Sequence, residues 1–531
     1  MKFYFSFILF LSFVNIYSQS YEQVLSKAEM YSDFDSLKTI INNANPHLEI
    51  YKNLLGVDVL QKIKKLRQGI DTVNSLASYY ALVAKALRTI PEGHTRILKY
   101  REFSKGDNWY KNRYPDYFDS TAISINKVIY TDLFNKYALY EKKSRKKRIK
   151  YDIPLSYING QFYSLMEIDF DNKSTNTKYK IDAGDKLIKI NNISVDSFLH
   201  KYKNDYSYAF YINRWDNENQ LFYNEQLLKN DSIFGKDLTL TFYSNRLKKT
   251  YTVNIVKYKN KIHKNYIHQY TLGSPEIYPK LTGKVIYFDS ILFIKIPKMN
   301  YSDINFYKKE IVKYKDKPIS KIIIDIRNNG GGSDDLWQNI LSIIIDTTFC
   351  RHQMLGIKNN KYMGRFIHSN IDSLILYHDP ILNQDFRLLS EDSHCYQIFP
   401  DSNSINYHGK IYLLHNRNSF SSATAFVTFA LGNDRIIAVG EANGFLGGYG
   451  TDPFLYQLPY SKIMFIMHST IHIPVDATSY YDYFWNNTEL KVKTTPYFEI
   501  ILYDYNNYDI FNKDFLKNSD VFFLKALQAP Q

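Results

Sequence analysis

A strand, a glycine-rich turn and a helix follow one another directly in residues 321–345, and this order constrains the fold more than any other feature of the chain. Residues 321–326 read KIIIDI, a nearly continuous apolar run that is typical of a strand buried on both faces of a sheet. A polar turn with three glycines occupies residues 328–333. The residues that follow place apolar side chains at helical spacing, namely Leu336, Ile340, Leu341 and Ile344. The pattern predicts a strand–turn–helix unit of an α/β core.

A second unit of the same kind lies further along the chain. It consists of an apolar strand at 411–414, a polar turn at 416–422, a helix at 423–431 and a return strand at 436–439. Functional groups gather at the carboxyl ends of the strands in an open α/β sheet. We therefore expect the two turns to meet. One turn would supply Gly330, Gly331 and Gly332, and the other Ser419, Ser421 and Ser422.

This pair of turns has the minimum equipment for acyl transfer. A serine at a helix N-terminus lies in a field that favours negative charge, and glycines let backbone N–H groups reach an oxyanion. Each turn alone also has an ordinary structural interpretation, because serines often cap helices and glycines often form tight turns. The glycine run has no P-loop lysine, and the GxSxG motif is absent around the serines.

The N-terminus resembles a cleavable signal peptide. Lys2 precedes an apolar run at residues 3–14, and a polar segment follows, with cleavage expected after Ser18. The apolar run is short for a membrane span, and no cysteine follows it. We therefore expect an exported protein, periplasmic or extracellular, without stable membrane insertion.

The remaining sequence predicts an α+β multidomain protein. Residues 19–145 are mostly helical, and Pro91 ends an amphipathic helix just before a turn that contains His94. Residues 151–260 contain short alternating strands, among them 186–190, 238–243 and 251–256. Residues 270–531 contain the α/β core.

The net charge and the two cysteines exclude few further classes of protein. The formal net charge of +14 suits anionic partners, but no nucleic-acid module surrounds the basic run at 142–150, so nucleic acid is not expected. The two cysteines, Cys350 and Cys395, form either one disulfide or two buried thiols. Neither has metal-ligand spacing, and no metal or organic cofactor is implied.

Four motifs in order resemble the tail-specific, or C-terminal processing, serine proteases: KIIIDIRNNGGG, NRNSFSSATAF, AVGEANG and LPYSK. The resemblance implies a ClpP/crotonase-like protease core and a PDZ-like domain in residues 151–260, where a peptide would add a strand to a sheet edge. That domain is alternatively a spacer without a ligand. The resemblance implies Ser421 as the nucleophile. It implies the backbone N–H of Ser422 and that of Gly331, or else Gly330, as oxyanion donors.

The residue expected as general base differs from the one used in one branch of the family. The offset at which many processing proteases carry a lysine lands on Leu446, and no lysine lies between Ser421 and Lys462. The tricorn-like branch uses a histidine from the preceding domain, and His94 matches it. Gly93 stands where that branch has a serine, so its relay cannot be carried over.

Two carboxylates are candidates for orienting the histidine. They are Glu441 and Glu489, although Glu441 is equally a structural anchor for its turn. The family then implies a hydrolase, an exported endopeptidase that cleaves unstructured or C-terminally tagged polypeptides through an acyl-enzyme. The alternative is a non-catalytic peptide- or lipid-binding scaffold of the same fold. Specificity and oligomeric state are left open.

Overall fold

The protein is described from a computed structural model. The described residues are 25–98, 155–165, 167–172, 177–202, 214–216, 221–223, 237–256, 260–262, 283–351, 353–364, 366–367, 370–389, 396–441, 450, 453–475, 477–483, 490–498 and 512–530. The expected signal peptide, the basic run at 142–150, Leu446, Glu489 and Cys395 lie outside these ranges. Cys350 is disulfide-bonded, which favours the disulfide alternative.

Residues 25–98 are mostly helical, as their periodicity predicts, and the rest of the predicted helical range, 99–145, lies outside the described residues. Two of the helices begin with a capping box, in which Ser26 pairs with Glu29 and Ser75 with Ser78, so that orphan N–H groups at the first turns have acceptors. The elements are α1 (Lys27–Ala44), α2 (Leu48–Leu55), α3 (Val59–Arg67), a 3₁₀ turn (Gln68–Thr72), α4 (Leu76–Leu87) and the short strand β1 (Arg96–Ile97).

The next region is rich in strands, and three of its predicted strands are confirmed. The strands Asp237–Ser244 and Lys249–Val256 form an antiparallel hairpin. The same sheet continues through Lys186–Ile190, Gln161–Ser164 and Leu155–Ile158. The elements are β2 (Leu155–Ile158), β3 (Gln161–Ser164), β4 (Ile168–Asn172), β5 (Thr177–Ile181), β6 (Lys186–Ile190), β7 (Ile193–Ser194), α5 (Val195–Tyr202), β8 (Arg214–Asp216), β9 (Leu221–Tyr223), β10 (Asp237–Ser244), β11 (Lys249–Val256) and β12 (Asn260–Ile262).

The C-terminal region is a mixed α/β unit. Its elements are β13 (Lys284–Phe288), β14 (Ile291–Lys295), a 3₁₀ turn (Tyr301–Asp303), α6 (Ile304–Val312), β15 (Lys321–Asp325), α7 (Asp334–Ile344), β16 (Phe349–Arg351), β17 (Gln353–Lys358), α8 (Lys361–Gly364), a 3₁₀ turn (Ile371–Ser373), β18 (Leu376–Asp379), β19 (Gln384–Leu388), β20 (Tyr396–Ile398), β21 (Ile411–His415), α9 (Ser422–Leu431), β22 (Ile436–Gly440), β23 (Phe454–Gln457), β24 (Met464–Met467), β25 (Thr470–Pro474), α10 (Tyr480–Tyr483), β26 (Leu490–Lys491), α11 (Lys513–Asn518) and α12 (Val521–Gln528).

The central sheet has the order β13-β14-β15-β21-β22-β26, and its strands are parallel from β14 onward. Alternate side chains of one strand enter different cores. Ile324 of β15 faces a cluster with α7 and α9, whereas Ile323 faces a cluster with α12. Helices therefore cover both faces, which explains why the strand is apolar throughout. Because β15 and β21 are parallel neighbours, the two predicted turns do meet at one edge.

The helical N-terminal region shares a core with part of the C-terminal region. One cluster joins α1 and α4 to the sheet β18-β19-β17-β25 and to the strands β23 and β24. Phe34, Tyr79 and Phe465 are buried members of it. The strand β1 of the N-terminal region also pairs with β24 of the C-terminal region, which adds a second contact between the two regions. The mixed α+β architecture is confirmed, while the domain boundaries and the PDZ-like identity of residues 151–260 stay predictions.

Candidate active site

Ser421 lies at the junction between β21 and α9. Its backbone torsions are φ 56° and ψ −123°, a conformation that residues with a side chain rarely adopt. The hydroxyl does not cap its own helix. A sharp, strained strand-to-helix turn is how nucleophilic serines are exposed above an α/β sheet. Ser421 is therefore not the ordinary N-cap that its sequence position alone would suggest.

The other two serines of the turn have different surroundings. Ser419 is fully buried and donates its hydroxyl to the carbonyl of Ile326 at 3.1 Å, while it accepts the N–H of Asn416 at 3.3 Å. The hydroxyl of Ser422 is buried without a hydrogen-bond partner among the described residues. Of the three, Ser419 ties the turn to the end of the neighbouring strand.

The glycine turn lies directly against Ser421. Gly331 has φ +89°, and a Cβ atom on it would come within 2.6 Å of the Phe420 carbonyl oxygen and 2.7 Å of the Ser421 Cβ. The turn is also bonded to its neighbour, because the Phe420 N–H donates to the carbonyl of Asn329 at 2.9 Å. Position 331 thus requires glycine for both conformation and space.

Asparagines fasten the two turns together, and sequence reasoning missed them. Asn416 and Asn328 exchange two hydrogen bonds, at 2.9 and 2.8 Å, and Asn418 donates to Asn328 at 2.8 Å. Asn329 is buried and accepts the Gly331 N–H at 2.8 Å. The available signal was the asparagine content of each turn, since this side chain often bonds nearby backbone groups.

His94 reaches the serine from the far end of the chain. The strand β1 begins two residues after His94 and pairs antiparallel with β24, with Arg96 opposite Ile466. This pairing delivers the imidazole to the turn, where its Nε2 lies 3.1 Å from the Ser421 Oγ. The two residues that the sequence singled out as a pair are thus within hydrogen-bond distance.

Two rings hold the His94 imidazole. Phe420 stacks on it with centroids 4.8 Å apart, and His468, which follows β24, stacks at 4.4 Å. Burial, and secondly the neighbouring His468, lower the pKa of His94 to about 3. The imidazole is therefore neutral at neutral pH and able to accept a proton at Nε2. A Cβ on Gly93 would lie 2.4 Å from the Phe420 ring, which explains the glycine at that position.

Glu92 is the carboxylate beside His94, and sequence reasoning assigned no role to it. It is buried and accepts the His94 backbone N–H at 2.6 Å as well as the Thr95 hydroxyl. Its Oε2 lies 3.7 Å from the His94 Nδ1, too far for a hydrogen bond. Glu441, one of the predicted orienting acids, instead pairs with Arg417 at 3.0 Å, which agrees with its alternative role as an anchor.

The predicted oxyanion donors differ in whether their N–H groups already have an acceptor. Within the described part of the chain, the backbone N–H of Ser422 and that of Gly330 have no acceptor, so both are available. The N–H of Gly331 is occupied by Asn329 in this conformation. Gly331 therefore reaches an oxyanion only if the Asn329 side chain releases it, whereas Ser422 needs no such change.

A strained serine with a histidine on its hydroxyl, next to a glycine turn, is the arrangement of serine hydrolases. Residues 290–476 match the model of peptidase family S41. This match confirms the resemblance to the tail-specific protease family for that part of the chain. No curated protein sequence matches the chain.

Solved structures agree on the fold. Mature CPAF complexed with lactacystin is 13% identical, with a TM-score of 0.52, over 90% of this chain and 97% of its own. Mature CPAF alone is 14% identical with the same TM-score of 0.52, over 91% of this chain and 95% of its own. Identity at this level shows the fold alone.

Proposed function

We propose that this protein is an exported serine endopeptidase, periplasmic or extracellular, that cleaves unstructured or C-terminally tagged polypeptides. The observation that carries the proposal is the 3.1 Å separation of the His94 Nε2 and the Ser421 Oγ. The match to a peptidase family supports polypeptides as the substrate class. Among the described residues, no helix is long and apolar enough to cross a membrane.

The proposed reaction begins with proton transfer from Ser421 to His94. Neutral His94 accepts the hydroxyl proton at Nε2 while the Ser421 oxygen attacks the scissile carbonyl. The Ser422 N–H stabilises the oxyanion, and a second N–H comes from the glycine turn. His94 then gives its proton to the leaving amine, and water hydrolyses the acyl-enzyme by the same steps.

Residues 151–260 are proposed as the PDZ-like unit that captures a substrate terminus. Its link to the core supports this role, because Arg417 Nη2 donates to Ser156 on β2 at 2.5 Å and Arg417 belongs to the turn that carries Ser421. A captured peptide would thus lie on an element fastened to the catalytic turn.

The test replaces the nucleophile and a matched serine. Ser421→Ala should abolish cleavage of casein, a loss of about 10³-fold or more, and should abolish labelling by a fluorophosphonate probe. Ser419→Ala removes a neighbouring hydroxyl and should keep the label even if it loosens the turn. Lactacystin, the ligand in one CPAF structure, serves as a second probe. Wild-type protein that neither cleaves nor reacts would favour the scaffold alternative.

A further inference from the structure

His94 and two neighbouring side chains form a cluster of the residue types that bind metal ions. One potential ligand atom from each of Glu92, His94 and His468 lies within 4.8 Å of the other two. The Glu92 Oε2 is 3.7 Å from the His94 Nδ1 and 3.9 Å from the His468 Nδ1. The cluster is on the side of the imidazole away from Ser421, because Ser421 occupies Nε2.

The His94 Nδ1 has no partner. This atom is buried, and no hydrogen-bond acceptor or donor reaches it within the described residues. Buried polar atoms are nearly always bonded, so an unpaired one at a functional site needs an explanation. Its neighbours are a buried carboxylate and a buried second imidazole, with side-chain exposures of 1% and 4%.

We propose that this cluster binds a divalent transition-metal ion of the Zn²⁺ type, and that the bound ion switches the catalytic base off. Two imidazoles and a carboxylate are the ligand set that zinc accepts, with bonds of about 2.0–2.2 Å. Ligand atoms in such a tetrahedral site are about 3.3 Å apart. Two of the separations in the cluster are 3.7 and 3.9 Å, and all three atoms lie within 4.8 Å of one another, so the ligands must close in around the ion. The His468 ring must also rotate out of its stack on His94 to aim a lone pair at the ion.

The inhibition follows from the tautomer of His94. As a base, neutral His94 carries its proton on Nδ1 and offers the lone pair of Nε2 to the Ser421 hydroxyl. An ion on Nδ1 requires the lone pair there, so the same proton moves to Nε2. Nε2 then donates a hydrogen bond to Ser421 and cannot accept its proton. No proton is gained or lost overall, yet the base is blocked.

The inhibition rests on the proposed function, but the binding does not, and the experiment separates them. The full chain carrying Ser421→Ala is titrated with Co²⁺, whose visible absorption reports a four-coordinate site without any turnover. A saturable band is expected. His468→Phe and Glu92→Gln, each added to Ser421→Ala, should weaken Co²⁺ binding by about 10-fold or more. His378→Phe, which alters an exposed histidine paired with Asp385, should leave the titration unchanged.

Activity is then measured on the chain with Ser421 intact. Zn²⁺ should inhibit it reversibly, with recovery in EDTA, and His468→Phe should lose at least 10-fold in sensitivity relative to its own metal-free activity. Absence of a saturable Co²⁺ band in Ser421→Ala overturns the site, whatever the enzyme does. A band that persists in both ligand variants also overturns it. A normal band together with an active enzyme insensitive to Zn²⁺ overturns the switch.

Discussion

The two halves of the candidate site are built in different ways. Ser421 is held by a junction of the central sheet, where parallel neighbours β15 and β21 end together and asparagine amides bond one turn to the other. His94 comes from a helical region 327 residues earlier in the chain, and it is fixed by the two-residue strand β1 and by side-chain packing. The proposed nucleophile therefore depends on backbone geometry, and the proposed base depends on tertiary contacts.

The difference predicts how each half fails. A backbone junction packed as closely as this one tolerates no added atom, so damage there affects folding and activity together. A ring held by packing can be displaced without unfolding the protein, and a compensating change in the neighbouring ring can return it. Substitutions in the two halves should thus differ in whether they can be rescued.

The largest effect is expected from Gly331→Ala. The new Cβ would meet backbone atoms of Phe420 and Ser422 at 2.6 and 3.0 Å, and alanine is strained at φ +89°. We expect activity on casein to fall by about 10²-fold or more and the free energy of unfolding to fall by about 1–3 kcal/mol. Peptidase assays and urea denaturation measure the two.

Gly56→Ala is the matched control. Gly56 also has a positive φ, +66°, but a Cβ there has no neighbour within 4 Å. It should lose about 1 kcal/mol of stability and none of the activity. Equal behaviour of the two variants would show that the glycine turn has no special contact with the serine.

A smaller and reversible effect is expected from Gly93→Ala. Its Cβ would lie 2.4 Å from the tip of the Phe420 ring and would displace a ring that stacks on His94. A shift of about 1 Å in the base can cost about 10²-fold in rate. The stability should change little, because a side-chain tip can move. Steady-state kinetics and thermal melting are the measurements.

Phe420→Leu in the same chain removes the colliding atoms and should restore part of the lost rate. Gly409→Ala provides a comparison, since its Cβ would meet the tip of Tyr407 at 2.3 Å next to the opposite end of β21. That variant should alter stability without altering kcat/KM. If Phe420→Leu fails to improve Gly93→Ala, the contact does not position His94.

Much of the serine half was predictable from the sequence. The apolar run of β15, the glycine turn and the amphipathic α7 are local patterns, and the same patterns around β21 and α9 placed Ser421 at a strand end. The parallel-sheet rule then brought the turns together. The bonds that join Asn416 and Asn418 to Asn328 went unpredicted because the partners lie in different turns.

The histidine half of the candidate site was harder to predict from the sequence. His94 was found only through the family motif, since nothing local distinguishes a histidine in a turn after a helix. Its neighbours Glu92 and His468 come together because β1 pairs with β24, and such pairing between distant segments leaves no periodic signal. The glycine at 93 was noted as a departure from the family, but its cause is the ring of Phe420, which is contributed by the other half of the site.

The smallest effect is expected in the dependence of kcat/KM on acid pH. Burial lowers the pKa of His94 to about 3 and that of His468 and His415 to about 4, from an ordinary value of 6.5. The proposed base thus stays neutral well below pH 6, and kcat/KM should show no loss with an apparent pKa near 6.5. A pH profile from 4.5 to 8 with a neutral peptide substrate measures this; a limb at 6–7 would contradict it.

The free energy of unfolding should change in the same pH range. Unfolding therefore sets the lowest pH at which the activity profile can be measured. Because each folded-state pKa lies below the unfolded value, the unfolded chain binds more protons between about pH 3 and 6.5, so stability is complete above 6.5 and falls with acid. Tyrosine fluorescence at each pH separates unfolding from titration of the base. If activity falls while the fold persists, His94 titrates at a higher pKa than its buried position implies, and the packing contacts of Phe420 and His468 do not shield it.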